Sequence, residues 1–264
     1  MLTITCMSLS GGQGKTTSAI FLGKTLAALG YRVLLVDADP QSSLTFYMGH
    51  EVEQNQPTLL EVLKKEVNPE DGIYELEQKN IWLVPSDDAL DKVQDFLSSS
   101  GMGATIMGKR LQAVSDLFEV CIIDAPPQRS QICLTAVGAA DELLIPAEAS
   151  SKGLNSLMRS LDLIRELQDM DAFSGSILGI LPFRDRWLGR TQAKQSQKSI
   201  EAMGELAEGI TILPSILESE QYKKAIDQGV TLEQLGFPRL QYPFETITEI
   251  LQAKLSVPKN KFSK

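Results

Sequence analysis

The run Gly11-Gly12-Gln13-Gly14-Lys15-Thr16-Thr17 constrains this chain more than any other feature. It follows a short apolar run, Leu2 to Met7, and leads into a helix-compatible segment, Thr16 to Leu29. Glycines between a strand and a helix let backbone N–H groups close around phosphate oxygens without Cβ clashes. The helix N-terminus adds the positive end of its dipole. In such a P-loop, Lys15 reaches the β- and γ-phosphates, the Thr16 hydroxyl ligates Mg²⁺ and Thr17 touches the α-phosphate, with Gly11, Gly12, Gln13 and Gly14 forming the cradle. The bland alternative is a glycine turn that binds nothing. A strand, the loop, Lys-Thr and a helix all in register weigh against it. One departure is Leu9, which stands where the plain pattern begins with a small residue.

Strand-like and helix-like segments alternate along the remaining chain. Strands are expected at Arg32–Val36, Ile81–Val84, Val120–Ile123, Glu142–Ile145, Ser176–Leu181 and Ile210–Leu213. Helices are expected near Thr58–Val67, Ala89–Leu97, Lys109–Leu117, Gly153–Asp169, Gln192–Ala207, Glu220–Gln228 and Thr246–Leu255. In the first helix Ile20, Leu26 and Leu29 are spaced for one face, and Gly30 stands at its C-terminal stop. This alternation predicts an α/β protein with a doubly wound, mostly parallel sheet. Ser98 to Gly103 reads as a loop, and no linker divides the chain, so residues 1–264 read as a single domain with a basic, frayed tail near 257–264.

Two carboxylates sit at strand ends, where open α/β sheets bind ligands. Asp39 lies in Asp37-Ala38-Asp39-Pro40-Gln41 and is placed to orient an attacking water. Asp124 opens Asp124-Ala125-Pro126-Pro127 and is placed as the acid that holds Mg²⁺ through water. The metal set predicted is Thr16, Asp39 and Asp124. Either aspartate alone reads as a turn or helix cap; two of them beside a P-loop reverse that reading. Cys6, Cys121 and Cys133 are too few and too widely spaced for a disulfide framework or a zinc site, and His50 is the only histidine. No apolar stretch is long enough to span a membrane, and no signal-peptide pattern opens the chain, which predicts a cytoplasmic location.

Together these residues resemble the ParA/MinD family of deviant Walker A ATPases. The marks are Ser10 to Thr17, Val36 to Gln41, Ile123 to Pro127, Ile145-Pro146-Ala147-Glu148 with Gly153-Leu154, and Ile212 to Ser215 with Lys224-Ala225 and Gly229. The resemblance implies about eight strands, ATP and Mg²⁺ as ligands, a homodimer that sandwiches ATP, slow hydrolysis, and a partner that stimulates it. It also implies that Pro214 borders the adenine and that Asp39 positions the water. The family usually carries a signature lysine where this chain has Ser10, and a serine cannot supply that charge. In this the chain is similar to one branch of the family, the McdA proteins that position carboxysomes, which implies an McdB-like adaptor as partner. Lys152, in the loop after the strand ending at Pro146, is the candidate to replace the missing cation, against an ordinary solvated lysine as the plain alternative.

The family divides by the surface it binds. Pro258 interrupts the C-terminal tail and only Phe262 follows as a large apolar residue, a poor membrane anchor. Non-specific nucleoid DNA is favoured by elimination, through Arg184, Arg186 and Arg190 around Trp187, with Lys194 and Lys198 at helical spacing from Arg190. Lys223, Lys224, Lys259 and Lys261 are further candidates. A net charge of −9, and Glu218 and Glu220 where relatives often carry basic residues, oppose this. Two rival readings stay open: a MinD-like membrane ATPase, and a metabolic P-loop enzyme of the dethiobiotin-synthetase type. A nitrogenase-iron-protein-like reductase lacks a plausible pair of cluster cysteines.

Overall fold

The computed structural model describes residues 1–255, so the tail at 257–264, with Lys259 and Lys261, lies outside the described residues. In chain order the first half runs β1 (Leu2–Cys6), α1 (Lys15–Ala28), β2 (Val33–Asp37), α2 (Ser43–Tyr47), α3 (Leu59–Lys64), β3 (Tyr74–Glu75), β4 (Ile81–Val84), α4 (Val93–Ser99), α5 (Gly103–Gln112) and β5 (Val120–Asp124). The second half runs α6 (Gln131–Gly138), β6 (Glu142–Glu148), α7 (Ser151–Asp169), β7 (Ser176–Asp185), β8 (Trp187–Leu188), β9 (Thr191–Gln192), α8 (Lys194–Leu206), β10 (Ile216–Leu217), α9 (Gln221–Asp227) and α10 (Tyr242–Leu255).

Eight strands form one sheet in the order β10-β7-β6-β1-β5-β2-β4-β3. Every pairing is parallel except β3 with β4. The chain winds outward from β1 in both directions, and helices cover both faces. Strand residues alternate between two apolar layers, as the pleat requires. Leu34, Val36, Cys121, Ile123, Leu143 and Ile145 face one layer. Val33, Leu35, Val120, Ile122 and Leu144 face the other. The central strands are therefore apolar on both sides, which explains their unbroken hydrophobic runs. On the second face Phe21 of α1 stacks on Phe244 of α10, centroids 5.4 Å apart, and meets Tyr222 edge-on at 5.3 Å. Such pairs add about 1 kcal/mol each beyond area burial and hold α10 on α1.

Several sequence expectations are corrected. Ile210–Leu213 is not a strand: Ile212 makes one isolated bridge to Ile180, and the edge strand is Ile216–Leu217, after Pro214. Proline has no N–H for the ladder, so pairing resumes only beyond it. The helix expected at Lys109–Leu117 is displaced to Gly103–Gln112, and α4 runs to Ser99, so the expected loop at Ser98–Gly103 shrinks to a turn. Leu29 is 56% exposed, because the helix ends at Ala28; Gly30 does follow, at φ 93°. All three cysteines are buried and free, and among the described residues no helix is long and apolar enough to cross a membrane.

Candidate functional site

β1 delivers the glycine loop to the C-terminal edge of the sheet, and α1 begins at Lys15. Gly12 and Gly14 take left-handed φ values of 78° and 95°. At Gly14 a Cβ would also lie 2.5 Å from the Phe183 ring, so glycine is required there on two grounds. The Lys15 ammonium folds back onto the Ser10 carbonyl at 3.3 Å, and burial holds its pKa below the usual lysine value against the pull of Asp124 and Asp39.

The two predicted carboxylates converge on this loop. The Thr16 hydroxyl donates to Asp124 Oδ2 at 2.6 Å, while Asp124 Oδ1 is buried with no hydrogen-bond partner among the described residues. Burial, reinforced by neighbouring Asp37, pushes the Asp124 carboxyl up to about 8. A buried carboxylate oxygen without a donor, beside a threonine hydroxyl, fits a hard divalent cation that keeps several waters. Among the described residues no group of three or more His, Cys, Asp or Glu side chains forms a metal cage.

Asp37, which the motif pattern leaves without a role, is a strut. Its Oδ2 accepts from the backbone N–H of Thr45 at 2.7 Å and from the Thr45 hydroxyl at 2.8 Å, and its Oδ1 accepts from Asp39 N–H at 3.2 Å. Burial raises its carboxyl to about 6. Asp39 accepts from Gln41 N–H at 3.0 Å and stays half-buried at the loop surface, within reach of solvent.

Lys152 is brought to the phosphate loop. It stands in the first turn of α7, and its ammonium donates to the Gly11 carbonyl at 2.8 Å and lies 3.7 Å from where a Gly12 Cβ would be. Gln13 behaves otherwise than its place in the motif suggests. Its side chain is fully buried, and its Oε1 accepts from Glu148 N–H at 2.8 Å.

Beside Thr17 opens a cleft of about 740 Å³ lined by Tyr47, Phe183, Arg184, Leu217 and Glu220. Pro214 is not among its lining residues; the segment that borders it starts at Leu217. The basic residues gather less tightly. Arg184, next to last in β7, takes φ 55° and pairs loosely with Glu148 at 3.9 Å. Arg186 pairs with Glu218 at 3.7 Å. Trp187 is half-exposed and donates to Asp185 at 2.9 Å. Arg190 sits in the turn of the β8–β9 hairpin, whereas Lys194 and Lys198 lie on α8, so the expected single helical face is not formed. The hairpin turn at Gly189, φ 64°, precedes Arg190 and breaks that spacing.

Comparison with known proteins agrees with this geometry. Residues 1–172 match the model of an AAA domain family. The chain is 67% identical over 251 residues to maintenance of carboxysome distribution protein A of Synechococcus elongatus, covering 95% of this chain and 99% of that one. It is 34% identical over 160 residues to the chromosome partitioning protein ParA of Caulobacter vibrioides, covering 59% of this chain and 60% of that one. An Asp-to-Ala variant of Cyanothece McdA, solved as an ATP complex, superposes with a TM-score of 0.93 at 54% identity over 96% of both chains.

Proposed function

The chain belongs to the ParA/MinD family of P-loop ATPases and within it is McdA-like, and from this premise we propose that it positions carboxysomes as an ATP-switched dimer on nucleoid DNA. ATP hydrolysis is its reaction. In our reading one ATPase domain over residues 1–264 binds ATP, pairs face to face with a second copy, and adheres to DNA without base readout. An McdB-like adaptor carrying the cargo stimulates hydrolysis and releases it. In this reading DNA, not a membrane, is the surface it binds.

The observation that carries the reading is the Lys152 ammonium on the Gly11 carbonyl, beside a P-loop whose Ser10 carries no charge. Developing charge on the γ-phosphate needs fixed cations, and each preorganised donor is worth about 10²–10³ in rate. Lys15, held on the Ser10 carbonyl, supplies one. Lys152, on the neighbouring Gly11 carbonyl, supplies the one that Ser10 cannot. Asp39 holds the attacking water in line. Thr16, Asp124 and Asp39 would hold a Mg²⁺ ion, which when bound would supply electrostatic neutralisation of the phosphate oxygens. Gly11, Gly12, Gln13 and Gly14 offer backbone N–H groups to the phosphates and Thr17 an additional hydroxyl. The cleft beside Thr17 takes the nucleoside, with the chain after Pro214 as its rim.

The test is Lys152→Ala, followed by ATP turnover and by light scattering with ATP. Turnover falls at least about tenfold and the ATP-dependent dimer is lost or weakened, while the ADP complex of the monomer persists. Turnover and dimerisation equal to the unaltered protein would exclude Lys152 as the replacement cation.

A further inference from the structure

The Gln13 side chain in the phosphate loop is fully buried. Its Oε1 accepts from Glu148 N–H at 2.8 Å, at the last residue of β6. Its Nε2 has no hydrogen-bond partner among the described residues. An orphaned buried amide is unfavourable by about 1–3 kcal/mol, so a simple packing role would be better served by an apolar residue. What the amide secures is the junction between β6 and α7.

That junction is unusually close. A Cβ on Gly153 would lie 1.8 Å from the Glu148 carbonyl oxygen and 2.8 Å from its nitrogen, so the first turn of α7 rests directly on the Glu148 backbone. The Ser150 hydroxyl caps that turn by accepting from Gly153 N–H at 3.3 Å. Lys152 precedes Gly153 and returns its ammonium to Gly11 at 2.8 Å. These interactions close a ring: Gln13 side chain, Glu148 backbone, Gly153, Lys152 ammonium, and back to the loop two residues before Gln13. Displacing Glu148 moves the turn that carries Lys152, because the close packing at the glycine leaves no slack between them.

We propose that Gln13 is a positioning residue: its side-chain amide locks the β6–α7 junction to the phosphate loop and thereby aims Lys152. The proposal rests on the reading that Lys152 supplies the missing cation, and the experiment separates the two. Gln13→Met keeps length without the acceptor, Gln13→Asn is one methylene too short to reach, and Gln13→Glu keeps an acceptor for Glu148 N–H.

The first readout is lysine acylation in the nucleotide-free protein, resolved by mass spectrometry with exposed Lys198 as reference. In the unaltered protein Lys152 reacts about three- to tenfold more slowly than Lys198, as a held ammonium should. Gln13→Met and Gln13→Asn bring it to the Lys198 rate, and Gln13→Glu preserves the protection. The second readout is turnover: Gln13→Met loses about tenfold or more, and adding it to Lys152→Ala costs nothing further. Unchanged Lys152 protection in both Met and Asn variants would overturn the proposal, as would losses that multiply in the double variant. If Lys152→Ala alone turns over normally, the cation reading fails, and the acylation rates still report whether Gln13 positions Lys152.

Discussion

The phosphate loop and the Arg184–Lys198 face share the C-terminal edge of the sheet, yet they are held in opposite ways. The loop is fixed by backbone: left-handed glycines, carbonyls gripped by Lys15 and Lys152, and a buried amide on Glu148. On the basic face the backbone is tied down by the β8–β9 pairing and by Ala193 N–H on the Arg186 carbonyl at 2.8 Å, but the guanidinium groups are held only by ion pairs, at 3.9 Å for Arg184 with Glu148 and 3.7 Å for Arg186 with Glu218, all but Glu148 more than half-exposed. Exposed pairs of that kind contribute about 0–1 kcal/mol. One region is preorganised for a single shape of ligand. The other is a loose set of charges that an extended polyanion can recruit while disrupting little.

The contrast is sharpest at two glycines. Gly153→Ala would drive a Cβ to 1.8 Å from the Glu148 carbonyl oxygen, backbone against backbone, and should destabilise the protein by about 4 kcal/mol or more in denaturant unfolding. Gly189→Ala in the β8–β9 turn meets nothing within 4 Å and bears only the strain of φ 64°, about 1–2 kcal/mol. Equal losses at the two positions would break the comparison.

A smaller effect comes from the buried carboxyls of the loop. Asp124 stays protonated up to about 8 in the folded protein, and its unfolded counterpart ionises near 4. Unfolding therefore releases a proton between those values, and stability falls as pH rises through that window. Without nucleotide and with chelator present, Asp124 alone should cost about 2–3 kcal/mol between pH 5 and 7, and Asp37, raised to about 6, should add about 1 kcal/mol, mostly below pH 6. Asp124→Asn should flatten the profile above pH 6 in a thermal-melt series. A variant that keeps the full slope would show that the site is not the source.

The same division explains what was legible in the sequence. The doubly wound sheet, and the strand–loop–helix that carries Gly11 to Thr17, were readable because each rests on local spacing that backbone geometry enforces. Lys152 was readable only as a missing charge in search of a donor; its hydrogen bond to Gly11 spans 141 positions. Gln13 looked like part of a phosphate cradle, and nothing in the motif says that its side chain turns inward, because Glu148 is 135 positions away. The strand expected at Ile210–Leu213 and the helical spacing of Arg190, Lys194 and Lys198 misled for one reason. Each assumed that regular structure continues across a turn, and in both places the chain changes direction at a residue that ends it, Pro214 before β10 and Gly189 in the hairpin. Asp37 was invisible because a strut is defined by what lies across from it, here Thr45.

The smallest expected effect probes the looser region directly. If Arg186 meets a DNA phosphate, Arg186→Ala should weaken ATP-dependent binding to any duplex about equally and lower the salt slope by about one. Glu218 competes for the same guanidinium at 3.7 Å. Glu218→Gln should therefore strengthen binding by about two- to threefold, the worth of one exposed pair, and more at low salt than at high salt. The two substitutions push in opposite directions on one charge, so a global loss of folding cannot imitate the pattern. Arg186→Ala combined with Glu218→Gln should resemble Arg186→Ala alone, since the carboxylate acts through the arginine it masks. Binding that ignores both changes would move the DNA surface away from this hairpin and toward Lys223 and Lys224 on α9.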